Sequence, residues 1–215
     1  MNKTLVVNEI FFSIQGESSY AGLPCAFVRL SGCDLRCSWC DTEYAFHEGT
    51  RMSVDEIVRK LEGFPTRLVE VTGGEPLLQK NVHLLVTALL DGRWEVLIET
   101  GGHRDIRGVD SRAALIYDIK CPGSGMSDRN LWDNLDQLRP QDQIKFVVAS
   151  REDYEWACEV NQRYRLSERH TVLFSPVWEG VSPRELAEWI LEDGLTVRMQ
   201  LQLHKILWGA DARGV

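Results

Sequence analysis

No stretch of this chain is apolar for long enough to span a membrane, and the opening Met1-Asn-Lys-Thr-Leu5 has no apolar core of the kind a signal peptide needs. Both absences lead us to expect a cytoplasmic protein with no membrane contact. Positive charge is also scarce: 24 Lys and Arg stand against 32 Asp and Glu, a formal charge of -8 with no basic run. Nucleic-acid surfaces depend on clustered cations, so direct nucleic-acid binding is not expected. No repeat, low-complexity tract or linker interrupts the 215 residues, and that length suits one domain spanning 1–215. No nucleophile motif is found in the sequence either.

What is present is cysteine, six of them with no export signal, so free or metal-ligating thiols are expected rather than disulfides. Three lie in one run, Cys33-Asp-Leu-Arg-Cys37-Ser-Trp-Cys40. Thiolates spaced by three and then two residues can converge on one metal centre from a short loop. A structural zinc site closes with four ligands, and an ordinary iron–sulfur cluster is also held by four cysteines. A loop that supplies three leaves a coordination position open, where chemistry can occur. Zinc with Cys25 or His47 as a fourth ligand is the alternative. Cys25, Cys121 and Cys158 stand apart and read as small buried residues.

Strands and helices alternate along the chain. Leu5–Phe12, Ala26–Leu30, Leu68–Thr72, Glu95–Glu99, Ala114–Ile119, Ile144–Val148, Thr171–Phe174 and Thr196–Gln202 read as strands. Ser53-Val-Asp-Glu56 opens a helix through Leu61, and a longer helix carries Leu77, Leu78, Val82, Leu85, Val86 and Leu89 towards Gly92. Arg151–Tyr164 makes another behind a Ser150 cap, and Ser182-Pro-Arg-Glu185 opens a last one. Such alternation implies a mainly parallel α/β sheet. The element count falls short of a full eightfold barrel, which takes about 250 residues, so the expected architecture is a partial, open (β/α) barrel. Sites on such folds gather at the C-terminal strand ends. The cysteine loop, Thr72-Gly73-Gly74-Glu75-Pro76, Glu99-Thr-Gly-Gly102, Asp118-Ile-Lys120 and Ser175-Pro176 all sit there. Trp189 and Trp208 fit either an interface or the core.

Thr72-Gly73-Gly74-Glu75-Pro76 lacks the lysine of a P-loop and the spacing of a dinucleotide fingerprint. Adjacent glycines at a strand end let backbone approach a ligand closely. Together with the cysteine run one helix earlier, this resembles the radical S-adenosylmethionine enzymes. In that superfamily a three-cysteine loop holds a 4Fe–4S cluster, and the Gly-Gly-Glu-Pro motif meets the methionine end of S-adenosylmethionine. Ile14-Gln-Gly-Glu17, Phe27-Val-Arg29, Cys40-Asp-Thr42, His204-Lys-Ile-Leu-Trp-Gly209 and Arg213-Gly-Val215 narrow the resemblance to the 7-carboxy-7-deazaguanine synthase family, from residue 9 to the last.

The resemblance implies residue roles. Cys33, Cys37 and Cys40 would ligate the cluster. Trp39, Cys40, Asp41, Gly74, Glu99, Asp118, Ile119, Lys120, Ser175 and Pro176 would bind S-adenosylmethionine. Ile14, Gln15, Gly16, Arg29, Thr72 and the Val215 carboxylate would bind substrate, and Thr42 would ligate magnesium. One neutral hydroxyl is a poor magnesium site alone, because the ion prefers six hard oxygens, so Mg2+ would lean on substrate and water. Arg29, a cation near the end of an apolar strand, suits an anionic partner, because a guanidinium fork matches a carboxylate bidentately. The implied reaction turns 6-carboxy-5,6,7,8-tetrahydropterin into 7-carboxy-7-deazaguanine with loss of ammonia, on the way to queuosine. An electron donor such as flavodoxin and a homodimer are implied too. The Thr-Gly-Gly after Glu99 departs from the Thr-Asn-Gly or Thr-Ser-Gly expected of many relatives.

Overall fold

A computed structural model describes residues 3–215. Its nine strands are β1 (Thr4–Ile14), β2 (Pro24–Leu30), β3 (Thr50–Ser53), β4 (Leu68–Gly73), β5 (Glu95–Thr100), β6 (Ala114–Ile119), β7 (Gln143–Val148), β8 (Thr171–Pro176) and β9 (Arg198–Met199). The helices are α1 (Val54–Leu61), α2 (Val82–Asp91), α3 (Arg151–Tyr164), α4 (Pro183–Glu192) and α5 (Leu203–Trp208). One sheet carries all nine strands in the order β3-β1-β2-β4-β5-β6-β7-β8-β9. From β2 onward neighbours are parallel, while β1 pairs antiparallel with β2 and β3. The ends of the sheet do not pair with each other, so this is the open, partial barrel the sequence implied.

Period-two alternation sorts the strand residues onto two faces. Val28, Val69, Val71, Val96, Ile98, Leu115, Tyr117, Ile144, Phe146, Val172 and Phe174 turn outward into the main core, beneath α1 through α4. The helices meet them with apolar stripes such as Ile57 and Leu61, Leu85 and Leu89, Tyr154 and Ala157, and Leu186 and Ile190. The opposite face begins apolar at the strands' N-terminal ends, where Cys25, Phe27, Leu68, Leu97 and Ala114 form a small cluster. Towards the C-terminal ends the same face turns polar: Arg29, Glu70, Thr72, Glu99, Asp118 and Lys145. That gradient places the site.

A bulge in β1 completes the inner face. The register passes from Val7 opposite Leu30 to Glu9 opposite Arg29. One extra residue flips every later side chain of β1. Leu5 and Val7 therefore sit in the outer core, whereas Phe11 packs with the inner cluster and Glu9 meets Arg29.

Both serine capping boxes form, at Ser53 with Glu56 and at Ser182 with Glu185, and Pro183 occupies the first turn of α4. Two expectations change. The helix expected to run from Leu77 begins as a short 3-10 turn, Pro76–Leu78, and resumes only at Val82. Gln79 breaks it: its backbone is extended, and its side chain bonds Val6 N, Val6 O and Ser31 O, tying the segment to β1 and β2. The strand expected over Thr196–Gln202 shrinks to Arg198–Met199, because Gln200 and Gln202 turn their amides onto Glu17. No α-helix joins β5 to β6 or β6 to β7. Ile106, Val109, Trp132 and Leu135 from those connections plug the core instead. Trp189 packs on the core, its ring 5.3 Å from that of Tyr154, while Trp208 is exposed.

Candidate active site

The inner face opens into a cavity of about 720 Å³ at the C-terminal strand ends. One wall is the cysteine loop. Its base is fixed by backbone bonds from Gly32 N to Ala45 O (2.8 Å) and from Glu75 N to Gly32 O (2.8 Å), and its middle by Ser38, which bonds Ser124 O and Gly123 O. Asp34 accepts from His103 Nε2 at 2.7 Å and from Arg104, pinning the loop to the segment after β5. The Arg36 guanidinium caps the Phe46 ring at 4.3 Å.

Cys33, Cys37 and Cys40 are free, half-buried and all on the cavity wall. Burial raises each thiol's pKa, and the Lys120 ammonium opposes that rise at Cys33 and Cys37. Among the described residues no group of three or more His, Cys, Asp or Glu side chains closes tightly enough to hold a single ion. The zinc alternative fails further because Cys25 is fully buried in the inner apolar cluster, away from the loop, and His47 is exposed. Three soft thiols on one loop, beside the Lys120 cation, fit an iron–sulfur cluster.

The Gly73-Gly74 turn has a structural reason as well as a place on the cavity. A Cβ on Gly74 would lie 2.3 Å from Gly32 O, and one on Gly73, at φ 143°, would lie 2.1 Å from Leu30 O. Glycine is needed so that the end of β4 can lie against the root of the cysteine loop. Glu75 is fully buried and clamps this corner, accepting from Thr100 Oγ1 at 3.0 Å, Gly101 N at 2.9 Å and Leu77 N at 2.9 Å. Gly16 plays a similar part: a Cβ there would strike the His204 ring at 2.2 Å, and Leu203 N bonds Gly16 O.

The floor is a network of charges brought from distant parts of the chain. Buried Lys145 lies 2.9 Å from Glu17, contacts Glu99 closely and is 3.7 Å from Asp118. Burial works against the Lys145 ammonium, but Glu17 and Glu99 outweigh it and raise its pKa. Burial likewise works against the Glu99 carboxylate, and Lys145 outweighs that, holding it at about 2. Glu70 has no such cation in contact. Burial, then the charges of Glu99 and Glu17, push it up to about 8, although the Gln15 amide donates to it. Lys120 pairs with Asp118 Oδ2 at 2.9 Å, leaving the buried Asp118 Oδ1 without a partner.

Most residues implied by the resemblance meet here. Ile14, Gln15, Gly16, Arg29, Trp39, Cys40, Asp41, Thr42, Thr72, Gly74, Glu99, Asp118, Lys120 and Val215 all line the cavity. Ile119 does not, because alternation turns its side chain into the outer core. Ser175 and Pro176 are buried in β8 and also lie off the cavity wall. Glu99 is engaged by Lys145 and by Thr72 Oγ1 (2.9 Å), and Arg29 already has an acid partner in Glu9, Nε to Oε1 at 2.7 Å. Among the described residues no protein acceptor meets Arg29 Nη1 or Nη2, so the outer edge of its fork is free. Glu17, Glu70, Lys145 and Lys205 were not foreseen. Glu70 and Lys145 are charges inside otherwise apolar strands, Glu17 follows a glycine turn and Lys205 lies in α5, and what they meet is legible only once the inner face is known.

A polar cavity at the strand ends of an open parallel barrel, walled by a three-cysteine loop, defines a radical S-adenosylmethionine protein. The Radical SAM superfamily profile matches residues 27–122. The chain is 49% identical to 7-carboxy-7-deazaguanine synthase of Chlorobaculum tepidum, over 98% of this chain and 97% of that protein. It is 44% identical to 7-carboxy-7-deazaguanine synthase of Koribacter versatilis, over 97% and 99%. The crystal structure of QueE from Escherichia coli shares the fold, with a TM-score of 0.76 at 23% identity over 94% of this chain and 95% of that one. This chain belongs to the 7-carboxy-7-deazaguanine synthase family.

Proposed function

We propose that this chain converts 6-carboxy-5,6,7,8-tetrahydropterin to 7-carboxy-7-deazaguanine with release of ammonia, as a radical S-adenosylmethionine lyase of the queuosine route. The observation that carries the reading is one cavity joining three free thiols of an open loop to a floor of buried carboxylates around Lys145. A 2-amino-4-oxo pyrimidine edge presents N–H donors, and Glu17, Glu70 and Glu99 supply acceptors in a water-poor floor where such bonds are strong. The free edge of Arg29 suits the substrate carboxylate.

Cys33, Cys37 and Cys40 would hold the 4Fe–4S cluster, whose open iron and bound S-adenosylmethionine supply a carbon-centred radical able to take hydrogen from carbon. Trp39, Asp41, Gly74, Asp118 and Lys120 would orient that cofactor, with the unpartnered Asp118 Oδ1 ready for a hydroxyl donor. Ile119, Ser175 and Pro176 could take part only through backbone groups. Ile14, Gln15, Gly16, Thr72 and Val215 would frame the pterin.

Thr42 fits the magnesium role in one respect. It donates its proton to Asp41 Oδ1 at 2.8 Å, and Asp41 is held by Lys205 at 2.6 Å, so the Thr42 oxygen keeps its lone pairs for an ion. Thr42→Ala should keep iron content and lose magnesium stimulation of turnover. Unchanged magnesium dependence removes Thr42 from the account. Among the described residues no helix is long and apolar enough to cross a membrane. The proposed enzyme would work in the cytoplasm and take electrons from a donor such as flavodoxin. Exposed Ile206, Leu207 and Trp208 on α5 support a homodimer.

The direct test is anaerobic incubation of reconstituted protein with the carboxytetrahydropterin, S-adenosylmethionine, Mg2+ and a reductant. Formation of the deazaguanine chromophore is expected. S-adenosylmethionine cleavage without that product would assign a different radical reaction.

A further inference from the structure

Three side chains from three separate parts of the chain, Glu9, Tyr44 and Arg213, meet beside Arg29 without belonging to the cluster loop or the charged floor. The β1 bulge sets Glu9 opposite Arg29. Glu9 Oε1 takes Arg29 Nε at 2.7 Å and the Tyr44 hydroxyl at 3.1 Å. The Arg213 guanidinium lies 3.8 Å from the centre of the Tyr44 ring, close contact for a cation on an aromatic face. One residue later the tail passes the same carboxylate, since a Cβ on Gly214, at φ 68°, would lie 3.6 Å from Glu9 Oε2. Residues 210–215 all line the cavity.

The tail thus forms a wall of the cavity, although it has no regular structure after α5. Its ion pair to Glu48 is long, 3.9 Å, between two exposed groups, and contributes little. The contact with Tyr44 is the closer anchor.

We propose that Tyr44 and Arg213 are positioning residues: Arg213 clasps the Tyr44 ring, holds the C-terminal tail across the cavity, and so shapes the end of the pocket where Arg29 receives the substrate carboxylate. Tyr44 also orients Arg29 through Glu9. The clasp stands on geometry, and only the identity of the ligand rests on the function proposed above.

Carboxypeptidase Y trimming of Val215, followed by intact mass, reads the clasp without any catalysis. Arg213→Ala should be trimmed about threefold to fivefold faster than the parent, as expected for losing one exposed cation–aromatic contact. Arg213→Lys should largely restore the parent rate and Glu48→Gln should not alter it. Tyr44→Leu should trim like Arg213→Ala, and the double variant no faster than either, because both remove one contact. In turnover, Arg213→Ala should raise the KM for carboxytetrahydropterin by about the same factor, while the KM for S-adenosylmethionine and the iron content hold. Equal trimming of parent and Arg213→Ala, or additive effects in the double variant, overturns the clasp. A clasp present in trimming but insensitive to added carboxytetrahydropterin would preserve the anchor and count against the pterin as its ligand.

Discussion

The cysteine loop and the charged floor face each other across one cavity, yet they are built in opposite ways. The loop is contiguous: eight residues, Cys33–Cys40, carry every thiol that lines the cavity. The floor is assembled from Glu17, Glu70, Glu99, Asp118 and Lys145, each from a different segment, and exists only because the sheet aligns them. A local motif keeps its meaning in the sequence. A site made by topology has none until the register is known.

Perturbing the two sides should therefore fail differently. Removing a thiol strikes chemistry and spares the fold: Cys37→Ala should reduce 5′-deoxyadenosine formation to background after reconstitution, with an unchanged urea midpoint. Retained activity would mean that the loop does not ligate the reactive iron. On the floor, Lys145→Met should strike the fold instead. It strands Glu17, Glu99 and Asp118 around a missing cation, a loss of about 3–5 kcal/mol for a buried pair deprived of one partner, read by urea unfolding of the apoprotein. A loss below about 1 kcal/mol would show that water reaches this floor and screens it.

Arg29 stands apart from both sides: it pairs with Glu9, and under the proposed function its outer edge would receive the substrate carboxylate. Arg29→Ala should raise the substrate KM about tenfold to hundredfold, the value of one charge-assisted bond, against little change in the KM for S-adenosylmethionine. Equal rises would assign it to packing with Glu9 alone.

Glu70 gives the most specific signal. Its pKa is raised to about 8 in the folded chain by burial and by the Glu99 and Glu17 charges. Between the ordinary carboxylate range and pH 8 the unfolded chain releases this proton while the folded chain keeps it. The stabilisation present at low pH is therefore lost progressively as pH rises to about 8, and the loss then levels off. Glu70→Gln keeps the neutral shape and should flatten that slope by up to about 1.4 kcal/mol per pH unit. Parallel pH profiles for the two proteins would show an ionised Glu70.

The contrast also explains what could be read in advance. Most strands, though not β3, together with the capped helices α1, α3 and α4 and the open barrel, followed from apolar periodicity, and the thiol wall from spacing alone. Gln79 broke a helix through long-range bonds to β1, and Gln200 with Gln202 ended a strand by turning onto Glu17, contacts between residues far apart in the chain. Ile119 shows the limit of arguing from a motif. It follows Asp118 directly, yet alternation sends it to the opposite face. The same rule puts Glu70 and Lys145 on the inner face, but only the strand register shows which charges they meet.

The central claim is that the polypeptide holds its iron by three thiolates and leaves one iron for a small sulfonium ligand. Electron paramagnetic resonance of the anaerobically reconstituted, dithionite-reduced protein, with and without S-adenosylmethionine, tests it most directly. A 4Fe–4S signal whose g-values move when S-adenosylmethionine is added is expected. A signal indifferent to the cofactor, or colourless protein carrying no iron, would contradict it.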